Sequence, residues 1–470
     1  MLAKYKELLS NTAVFAVGAF GSKILLFLLV PLYTNCMTAS EYGIADLVST
    51  TSTLVIPLVS LSIQEALFRF AFDKSYGSRE LLKCFYLVVC IGSVVVLLLG
   101  LCFNVFSLLS GYELEFVLLS IVGLVRDAYA LYVKASDKTR LFTLDALLYV
   151  VYLCGGNIVA LVVLDAGILG YLYSMIIAKL LSLLFLFAFS KLPKVVVPIG
   201  VNWSLLKEML GYSIPMVLNS ISWWVMNYAD RYIISILLGS ASMGIFAVAT
   251  RIPSLISTFV SVFNQSWAIT SIKEFEGEKD ESLYENVFAV FNCGVSLLTG
   301  FVLLIIHPFM SVYVGSDFRS ASNAVPFLLL GALYLAHSSF FGIIFNSARK
   351  TKGLMSSSIW GALVNIVLSL VLVPWIGILG ASIATAAAYC ATFVHRLVHS
   401  RRIMSFNIQF KRFVLFNLLL LGMGVAQSLS SSLWPVSLAL FAGLVLANGK
   451  DLKAFVGAGM SIVKKRREGK

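Results

Sequence analysis

The stretch "NIVLSLVLVPWIGILG", residues 365–380, decides the architecture because a shorter version of it, "NIVALVVLDAGILG", occurs at residues 157–170. Both stretches begin with the same three residues and end with the same four. In each, an apolar segment is followed by a short turn and by the start of a second apolar segment. A repeat of this kind indicates that part of the chain is duplicated.

Composition predicts an integral membrane protein. The 470 residues are 59% hydrophobic and only 12% charged, whereas soluble domains carry about 25% charged residues. A soluble fold could not cover so much apolar surface. The seven cysteines are scattered through apolar stretches without any CxxC pair. They therefore predict neither a disulfide framework nor a metal cluster.

Fourteen apolar runs are long enough to cross a bilayer, which takes about 20 residues. The first is preceded by Lys4 and Lys6 but is too long for the core of a signal peptide, so we expect a retained helix. The last two are separated by "LSSSLWP" and could instead form one re-entrant hairpin. The runs are 8–34, 43–69, 82–107, 114–133, 142–164, 168–190, 208–236, 243–270, 284–310, 323–347, 355–373, 378–396, 413–430 and 433–448.

The distribution of basic residues supports this helix count. If the N-terminus is cytoplasmic, Lys and Arg should fall in every second connection and in the tail. Of the 35 basic residues, 28 lie at the N-terminus, in these connections with the adjoining helix ends, or in the tail. Six lie farther inside predicted helices, and only Arg319 falls in a predicted outside loop. The alternation predicts that both termini are cytoplasmic. It also explains the net charge of +12 without a nucleic-acid partner.

Further matches at a similar spacing extend the repeat. Gly43-Ile44 corresponds to Gly244-Ile245, and Gln64 corresponds to Gln265. Matches in the same order along the chain indicate a duplicated unit of six helices, and an even number gives both copies the same orientation. We therefore predict an all-α membrane protein of about 14 spans. An N-terminal lobe (1–195) and a C-terminal lobe (196–402) are related by a pseudo-two-fold axis along the membrane normal. Two extra helices and a basic cytoplasmic tail follow (403–470).

Ionisable residues within the predicted helices are candidates for function, since each costs roughly 3 kcal/mol at the bilayer centre. Glu65 and Arg69 are four residues apart and could simply pair, while Arg69 and Asp145 could snorkel to the inner surface. The adjacent pairs 126–127 and 230–231 point in different directions, so we expect their partners on other helices. The full set is Lys23, Glu65, Arg69, Arg126, Asp127, Asp145, Lys179, Asp230, Arg231 and Arg251.

Polar residues also recur along single faces of three predicted helices. Such faces must meet water, protein or substrate, and a hydrated cavity is favoured over hydroxyl packing between helices. Trp223 could stack on a sugar ring, although packing is the alternative. The faces are Thr50, Thr53, Pro57, Ser60 and Gln64 on the second helix; Asn219, Trp223, Asn227 and Arg231 on the seventh; and Arg251, Ser254, Thr258, Ser261 and Gln265 on the eighth.

No catalytic motif is present. The segment "GLVLANGKD" at 443–451 has five residues between its glycines where a phosphate-binding loop needs four. The connections between predicted helices are too short for an ATPase domain. We therefore expect a transporter without a cofactor, driven by substrate supply or by coupling to Na⁺ or H⁺, and not an enzyme.

Several motifs together resemble the bacterial polysaccharide (Wzx-type) flippases of the multidrug/oligosaccharidyl-lipid/polysaccharide exporter superfamily. The resemblance covers nearly the whole chain, and the last motif is the most specific. The motifs are "GSKILLFLLVPLYT" (21–34), "EYG" (41–43), "NYADRYIIS" (227–235), "GIFAVATRIPSL" (244–255), "NQSW" (264–267) and "NIVLSLVLVPWIGILGASIAT" (365–385).

This resemblance implies a cavity that opens alternately to each side of the bacterial cytoplasmic membrane. Its cargo would be an anionic oligosaccharide linked to undecaprenyl pyrophosphate, made and used by glycosyltransferases and a polymerase of the same pathway. Carried over by position, the cations that would hold the pyrophosphate are Lys23, Arg126, Lys179, Arg231 and Arg251. Further cavity candidates are Asn219, Trp223, Asn227, Thr258, Gln64 and Gln265, and candidates for ion coupling or gating are Glu65, Arg69, Asp127 and Asp230.

Two other functions remain possible within the same superfamily. One is a cation-coupled antiporter of drugs or other small molecules, and the other is a flippase of peptidoglycan lipid precursors. Export of organic cations calls for acidic cavity helices, whereas the predicted cavity helices of this chain are rich in basic residues. The charge therefore favours an anionic cargo.

Overall fold

The computed structural model describes residues 21, 23–71, 76–106, 109–191, 199–276, 281–348, 351–404 and 408–449. Within these ranges the chain is helical and contains no strand. The helices are α1 (Val30–Cys36), α2 (Ala39–Val59), α3 (Ile63–Phe70), α4 (Ser78–Phe106), α5 (Glu113–Ala135), α6 (Thr139–Ile158), α7 (Gly167–Phe189), α8 (Trp203–Ala249), α9 (Arg251–Glu276), α10 (Glu281–Tyr313), α11 (Ala321–Ser347), α12 (Thr351–Ile376), α13 (Ile378–Ser400), α14 (Phe410–Leu429) and α15 (Trp434–Ala447).

The predicted helical membrane fold is confirmed. Eleven helical segments are long and apolar enough to cross a membrane, and shorter apolar helices lie at Lys23–Cys36 and Ser431–Ala447. One of the eleven, Trp203–Gln265, holds both the seventh and the eighth predicted helix, because α8 continues through a non-helical kink at Gly239. The first part of the first predicted helix (8–20) and the tail from Lys450 lie outside the described residues.

The second predicted helix is interrupted, so its prediction as one continuous helix is wrong. It begins with a capping box, in which the Glu41 carboxylate accepts from the Thr38 backbone N–H at 2.8 Å. It then breaks between α2 and α3, where Leu61 and Ser62 have φ of 49° and 51°. Pro57, one turn before the break, lacks the N–H that would continue the helical hydrogen bonds. The predicted polar face of this helix is therefore divided between α2, the break and the short α3.

The described chain forms two compact units. The first contains the residues up to Tyr232 together with Ser240–Gly244, and the second contains Ile233–Gly239 and the residues from Ile245 onward. These units are defined by contacts within the structure, whereas the two predicted lobes are defined by the repeat in the sequence. The lobe boundaries at 195 and 402 stay a prediction.

Packing inside each unit follows the same order. In the first, α5 packs against α2, α4 and α7, and α7 also packs against α6. In the second, α11 packs against α9, α10 and α13, and α13 also packs against α12. The fourth and tenth predicted helices are the central ones. In these two helices, 61% and 78% of the residues of an 18-residue apolar stretch are buried, whereas the share is 22% in both the fifth and the eleventh. The repeat in the sequence is thus matched by a repeat in packing.

The repeated "GILG" motif specifies a turn. Its first glycine, Gly167 before the body of α7 and Gly377 before α13, has φ of 52° and 62° respectively. This left-handed region is open to glycine at little cost and is strained for other residues. The asparagines that open the two repeats, Asn157 and Asn365, are both buried. The chain therefore repeats these letters because two helix pairs need the same reversal of direction.

Candidate functional site

Four ionised side chains meet in the first unit, where α5, α6 and α7 pack together. Arg126 contacts Asp145 (Nη2 to Oδ2, 2.6 Å) and its neighbour Asp127 (Nη1 to Oδ1, 3.1 Å). Lys179 contacts the other oxygen of Asp127 at 2.9 Å. Arg126, Asp127, Asp145 and Lys179 are called the four-charge cluster below.

Neighbouring side chains hold this cluster in place. The Arg126 Nε–H donates to the Ser182 hydroxyl at 2.8 Å, and that hydroxyl donates to Asp145 at 2.5 Å. The guanidinium also lies over the Tyr149 ring, 4.8 Å from its centroid. A side chain at Gly123 would place its Cβ 3.1 Å from the Lys179 Nζ, so the glycine leaves room for the lysine. The arginine is fixed by three helices.

The four-charge cluster balances two positive with two negative charges. The Asp145 side chain is 1% exposed, whereas the Asp127 side chain is 47% exposed. The expectation that Arg126 and Asp127 find partners on other helices is confirmed, by Asp145 on α6 and Lys179 on α7. The two residues also pair with each other, because the long arginine side chain bends back to the adjacent carboxylate. A second expectation is corrected. Asp145 does not snorkel, since it lies buried against Arg126.

A second ion pair, also in the first unit, joins α2 to α8. Arg231 Nη1 lies 3.0 Å from Asp46 Oδ2, and the two side chains are 8% and 4% exposed. The sequence interpretation missed Asp46. A lone carboxylate in an apolar helix is the signal that could have revealed it, because a buried arginine elsewhere in the bilayer needs a counter-charge.

Two uncharged contacts continue this junction along α2. The Thr51 and Tyr232 hydroxyls are 2.6 Å apart, and the Trp224 indole N–H donates to the Thr50 carbonyl at 2.9 Å. Together with the Asp46–Arg231 pair they form the α2–α8 clamp. Arg231, one of the five predicted substrate-binding cations, is therefore paired with a carboxylate in this clamp.

The start of α2 crosses the part of α8 that follows the kink at Gly239. A Cβ on Gly43 would lie 2.0 Å from the Ser240 carbonyl oxygen, and one on Gly244 would lie 1.9 Å from the Ala39 carbonyl oxygen. The Ser40 and Ser240 hydroxyls are 2.7 Å apart. Each glycine thus faces the residue four positions before the other, so the two backbones cross in close contact.

The predicted polar face of the seventh helix is only partly formed. Asn219, Trp223 and Asn227 are exposed, and the Asn227 amide donates to the Trp223 carbonyl at 2.7 Å. The Arg231 side chain does not extend this face, because it is buried against Asp46. Four residues turn an α-helix by about 400°, so positions spaced by four drift steadily round the helix. Adjacent Asp230 is buried.

Hydroxyls of the predicted face on α9 bond to their own helix. Ser254 donates to the Arg251 carbonyl at 2.6 Å, Thr258 to the Ser254 carbonyl at 2.8 Å, and Ser261 to the Thr258 carbonyl at 2.7 Å. Gln265, at the end of the face, is exposed. The stripe therefore carries satisfied hydroxyls, which tolerate either water or a packed neighbour.

The remaining candidates are spread along the chain. Lys23 is exposed on the helix that ends with α1, and Arg251 is half-buried at the start of α9. Gln64 accepts from the Ser60 hydroxyl at 3.0 Å. Glu65 and Arg69 are exposed on α3, and no ion pair between them occurs in the described part of the chain. Their predicted pairing is wrong.

Comparison with known proteins identifies the family. The family described as "Polysaccharide biosynthesis protein" matches residues 8–269, and the MatE family matches residues 215–371. A relative from Haloferax volcanii, named as the probable low-salt glycan biosynthesis flippase Agl15, is 25% identical over 222 residues. This match covers 44% of each chain, so the chain spans under half the length of that relative.

Solved structures share the fold. The lipid II flippase MurJ in an inward closed conformation superposes with a TM-score of 0.68 at 15% identity, over 94% of this chain and 99% of that one. A superfamily transporter from Pyrococcus furiosus, whose binding pocket is described as having reverse polarity, gives 0.53 at 13% identity, over 84% and 96%. With its family match over more than half of its length, the chain belongs to the polysaccharide biosynthesis proteins of the multidrug/oligosaccharidyl-lipid/polysaccharide exporter superfamily.

Proposed function

We propose that this protein moves oligosaccharide repeat units linked to undecaprenyl pyrophosphate across the bacterial cytoplasmic membrane by alternating access. The repeat units would serve O-antigen, capsule or exopolysaccharide synthesis. The observation that carries the proposal is the family match over residues 8–269. The name of the Haloferax volcanii relative, a glycan biosynthesis flippase, supports it, as does the fold shared with a lipid II flippase.

The charged side chains suit an anionic lipid-linked cargo. A pyrophosphate brings negative charge into a low-dielectric region, where an uncompensated charge costs several kcal/mol. Lys23 and Arg251 would contact the cargo first, Arg251 through a two-pronged hydrogen bond and Lys23 as a point charge. Trp223, whose side chain is 57% exposed, would stack on a sugar ring.

Arg126 and Lys179 would act differently, because carboxylates already hold them. Asp127 is the exposed member of the four-charge cluster, so its carboxylate would exchange Lys179 for a coupling ion, Na⁺ or H⁺. Protonation or Na⁺ binding there would free the lysine for the anionic cargo. The α2–α8 clamp would open and close in the same cycle, with both termini of the chain in the cytoplasm.

Two other cargoes follow from particular observations. The MatE match over residues 215–371 favours a cation-coupled exporter of drugs or small molecules. The lipid II flippase fold favours a peptidoglycan lipid precursor. These cargoes differ from the proposed one in charge or in glycan. Expression in different host strains, each lacking a different transporter, therefore distinguishes the three functions.

Complementation tests the proposal. The chain is expressed in a strain that lacks its own polysaccharide flippase, in a strain depleted of its lipid II flippase, and in a drug-sensitive strain without its multidrug exporters. We expect polymer export to return in the first strain, as measured by surface polysaccharide, with membrane levels checked by blotting. Rescue confined to the second or the third strain would replace the proposal by the corresponding alternative.

A further inference from the structure

Arg396, near the end of α13, lies where three helices of the second unit meet. Its Nε–H donates to the Ser357 hydroxyl at 2.9 Å, its Nη1 donates to the Ser338 carbonyl at 3.1 Å, and its Nη2 donates to the Ser358 hydroxyl at 3.2 Å. Ser338 is on α11 and the two other serines are on α12. The guanidinium therefore has a fixed position between α11, α12 and α13.

All partners of this guanidinium are neutral. Within the described ranges no carboxylate lies within ion-pair distance of Arg396, whereas Arg126 at the corresponding junction of the first unit contacts two. An arginine carries five N–H donors, and the three contacts leave two of them for another acceptor. One unit thus holds a neutralised arginine at its three-helix junction, and the other holds an arginine with an unbalanced positive charge.

Arg396 lies on a different face of α13 from two exposed valines. Val394 and Val398, two residues to either side on α13, are 48% and 49% exposed, so Arg396 points away from this apolar face. It is itself half-buried. A side chain at Gly342 would place its Cβ 2.9 Å from the Arg396 Nη1, and this glycine keeps the position of the guanidinium open.

More positive charge lies at the same end of α13. Arg401 and Arg402 are both exposed just beyond the helix. Clustered positive charge raises the local concentration of anions. A guanidinium with two free donors on a rigid support is well suited to bind phosphate oxygens through paired hydrogen bonds.

We propose that Arg396, supported by Ser357 and Ser358, binds a phosphate group at the end of α13. The phosphate would come either from the headgroup of an anionic bilayer lipid or from a soluble or substrate-borne diphosphate. The site lies apart from the candidate cations carried over from the family resemblance, and it does not depend on the proposed transport of glycans.

Binding is tested on the purified full-length protein with two probes. In detergent, inorganic pyrophosphate is titrated and thermal unfolding is followed. In nanodiscs, phosphatidylcholine alone is compared with phosphatidylcholine mixed with phosphatidylglycerol. We expect stabilisation by one of the probes, and Arg396→Gln should weaken that binding about tenfold, in line with the loss of charge-assisted hydrogen bonds. An effect in detergent indicates a diphosphate, and an effect only with phosphatidylglycerol indicates a lipid headgroup.

Matched variants keep the result interpretable. Arg401→Gln removes one exposed charge at the same end of α13 and should weaken binding much less than Arg396→Gln, because it lowers only the local concentration of anions. Gly342→Ala keeps every charge but displaces the flexible end of Arg396, so it should weaken binding even if Arg396→Gln fails to fold. Neither probe stabilising the wild-type protein, or Arg401→Gln weakening binding as much as Arg396→Gln, would overturn the site. None of these measurements requires transport, so they are independent of the proposed function.

Discussion

In the first unit, the arginines Arg126 and Arg231 in membrane helices each contact at least one carboxylate. Arg126 is held by Asp145 and Asp127, and Arg231 by Asp46. Removing one member of such a pair leaves the other charge buried and uncompensated. The buried carboxylates of Asp145 and Asp46 thus stabilise arginines that would otherwise be costly in a bilayer.

Single and double substitutions of the Arg126–Asp145 pair test this account. Arg126→Gln should lower the free energy of unfolding by about 3–5 kcal/mol, because Asp145 is left buried without its partner. Adding Asp145→Asn removes the stranded charge and should restore most of the loss. Unfolding in detergent, followed by circular dichroism, measures both. Losses that simply add up in the double variant would show that the two residues do not stabilise each other.

The sequence predicted which residues carry charge in the helices but not whom they contact. Composition and hydropathy identify Arg126, Asp127 and Lys179 as ionised groups in apolar helices. Contacts depend on the rotation of each helix about its axis and on how far a long side chain reaches. Neither can be predicted from the spacing of residues in the sequence. That is why the direct Arg126–Asp127 pair and the role of Asp46 came only from the structure.

The long helix α8 contains a backbone kink at Gly239, where φ is 83° and ψ is 173°. No atom lies within 4 Å of the position that a Cβ would occupy there. Gly239→Ala should therefore lower the free energy of unfolding by about 1–3 kcal/mol through backbone strain alone. Gly211→Ala, in the helical part of α8 and equally free of neighbours, is the control and should stabilise by about 0.5–1 kcal/mol. The free energy of unfolding of both variants is measured in detergent. Equal changes in the two would mean that Gly239 does not need its left-handed backbone conformation.

The crossing of α2 with α8 allows the α2–α8 clamp to be locked. The Ser40 and Ser240 hydroxyls are 2.7 Å apart, so cysteines at both positions should form a disulfide when oxidised. In a background without the seven native cysteines, we expect oxidation of the Ser40→Cys/Ser240→Cys variant to block transport and a reductant to restore it. Each single variant serves as a control. Full transport by the cross-linked protein would mean that this crossing does not open during the cycle.

Helices were predicted well and their interruptions were not. Long apolar runs and alternating basic loops specify where the chain crosses the bilayer, because the hydrophobic thickness sets a minimum length. The break at Leu61 and Ser62 depends on two residues in left-handed conformations, and their types do not favour that region. Proline favours a bend in a helix, but the position of the break, one turn after Pro57, does not follow from the proline alone.

At the scale of the whole molecule, the repeat in the sequence corresponds to a repeat in helix packing: α5 packs against α7, and α11 packs against α13. Matching letters were enough to predict a duplication. The three-helix junctions differ, however, because one holds the four-charge cluster and the other holds Arg396 among serines.

Substitution of the two candidate cargo cations tests the transport proposal. Lys23→Ala combined with Arg251→Ala should reduce polymer export at least about tenfold, since two charge-assisted contacts to the pyrophosphate are lost. Arg251→Lys should retain part of the activity because the charge remains and the fork is lost. Arg319→Ala, at an exposed loop position, should export normally. Normal export by the double variant at normal membrane levels would mean that these charges do not bind the cargo.

Reconstitution tests the central claim most directly. The purified protein is placed in liposomes with an undecaprenyl-pyrophosphate-linked oligosaccharide that carries a fluorescent sugar, and a membrane-impermeant enzyme that cleaves the glycan is added outside. We predict that the protein exposes the internal pool to cleavage, and that free undecaprenyl pyrophosphate competes in this assay while an organic cation does not. Retention of the internal pool by folded protein, in liposomes where the same preparation exports an organic cation, would contradict the account.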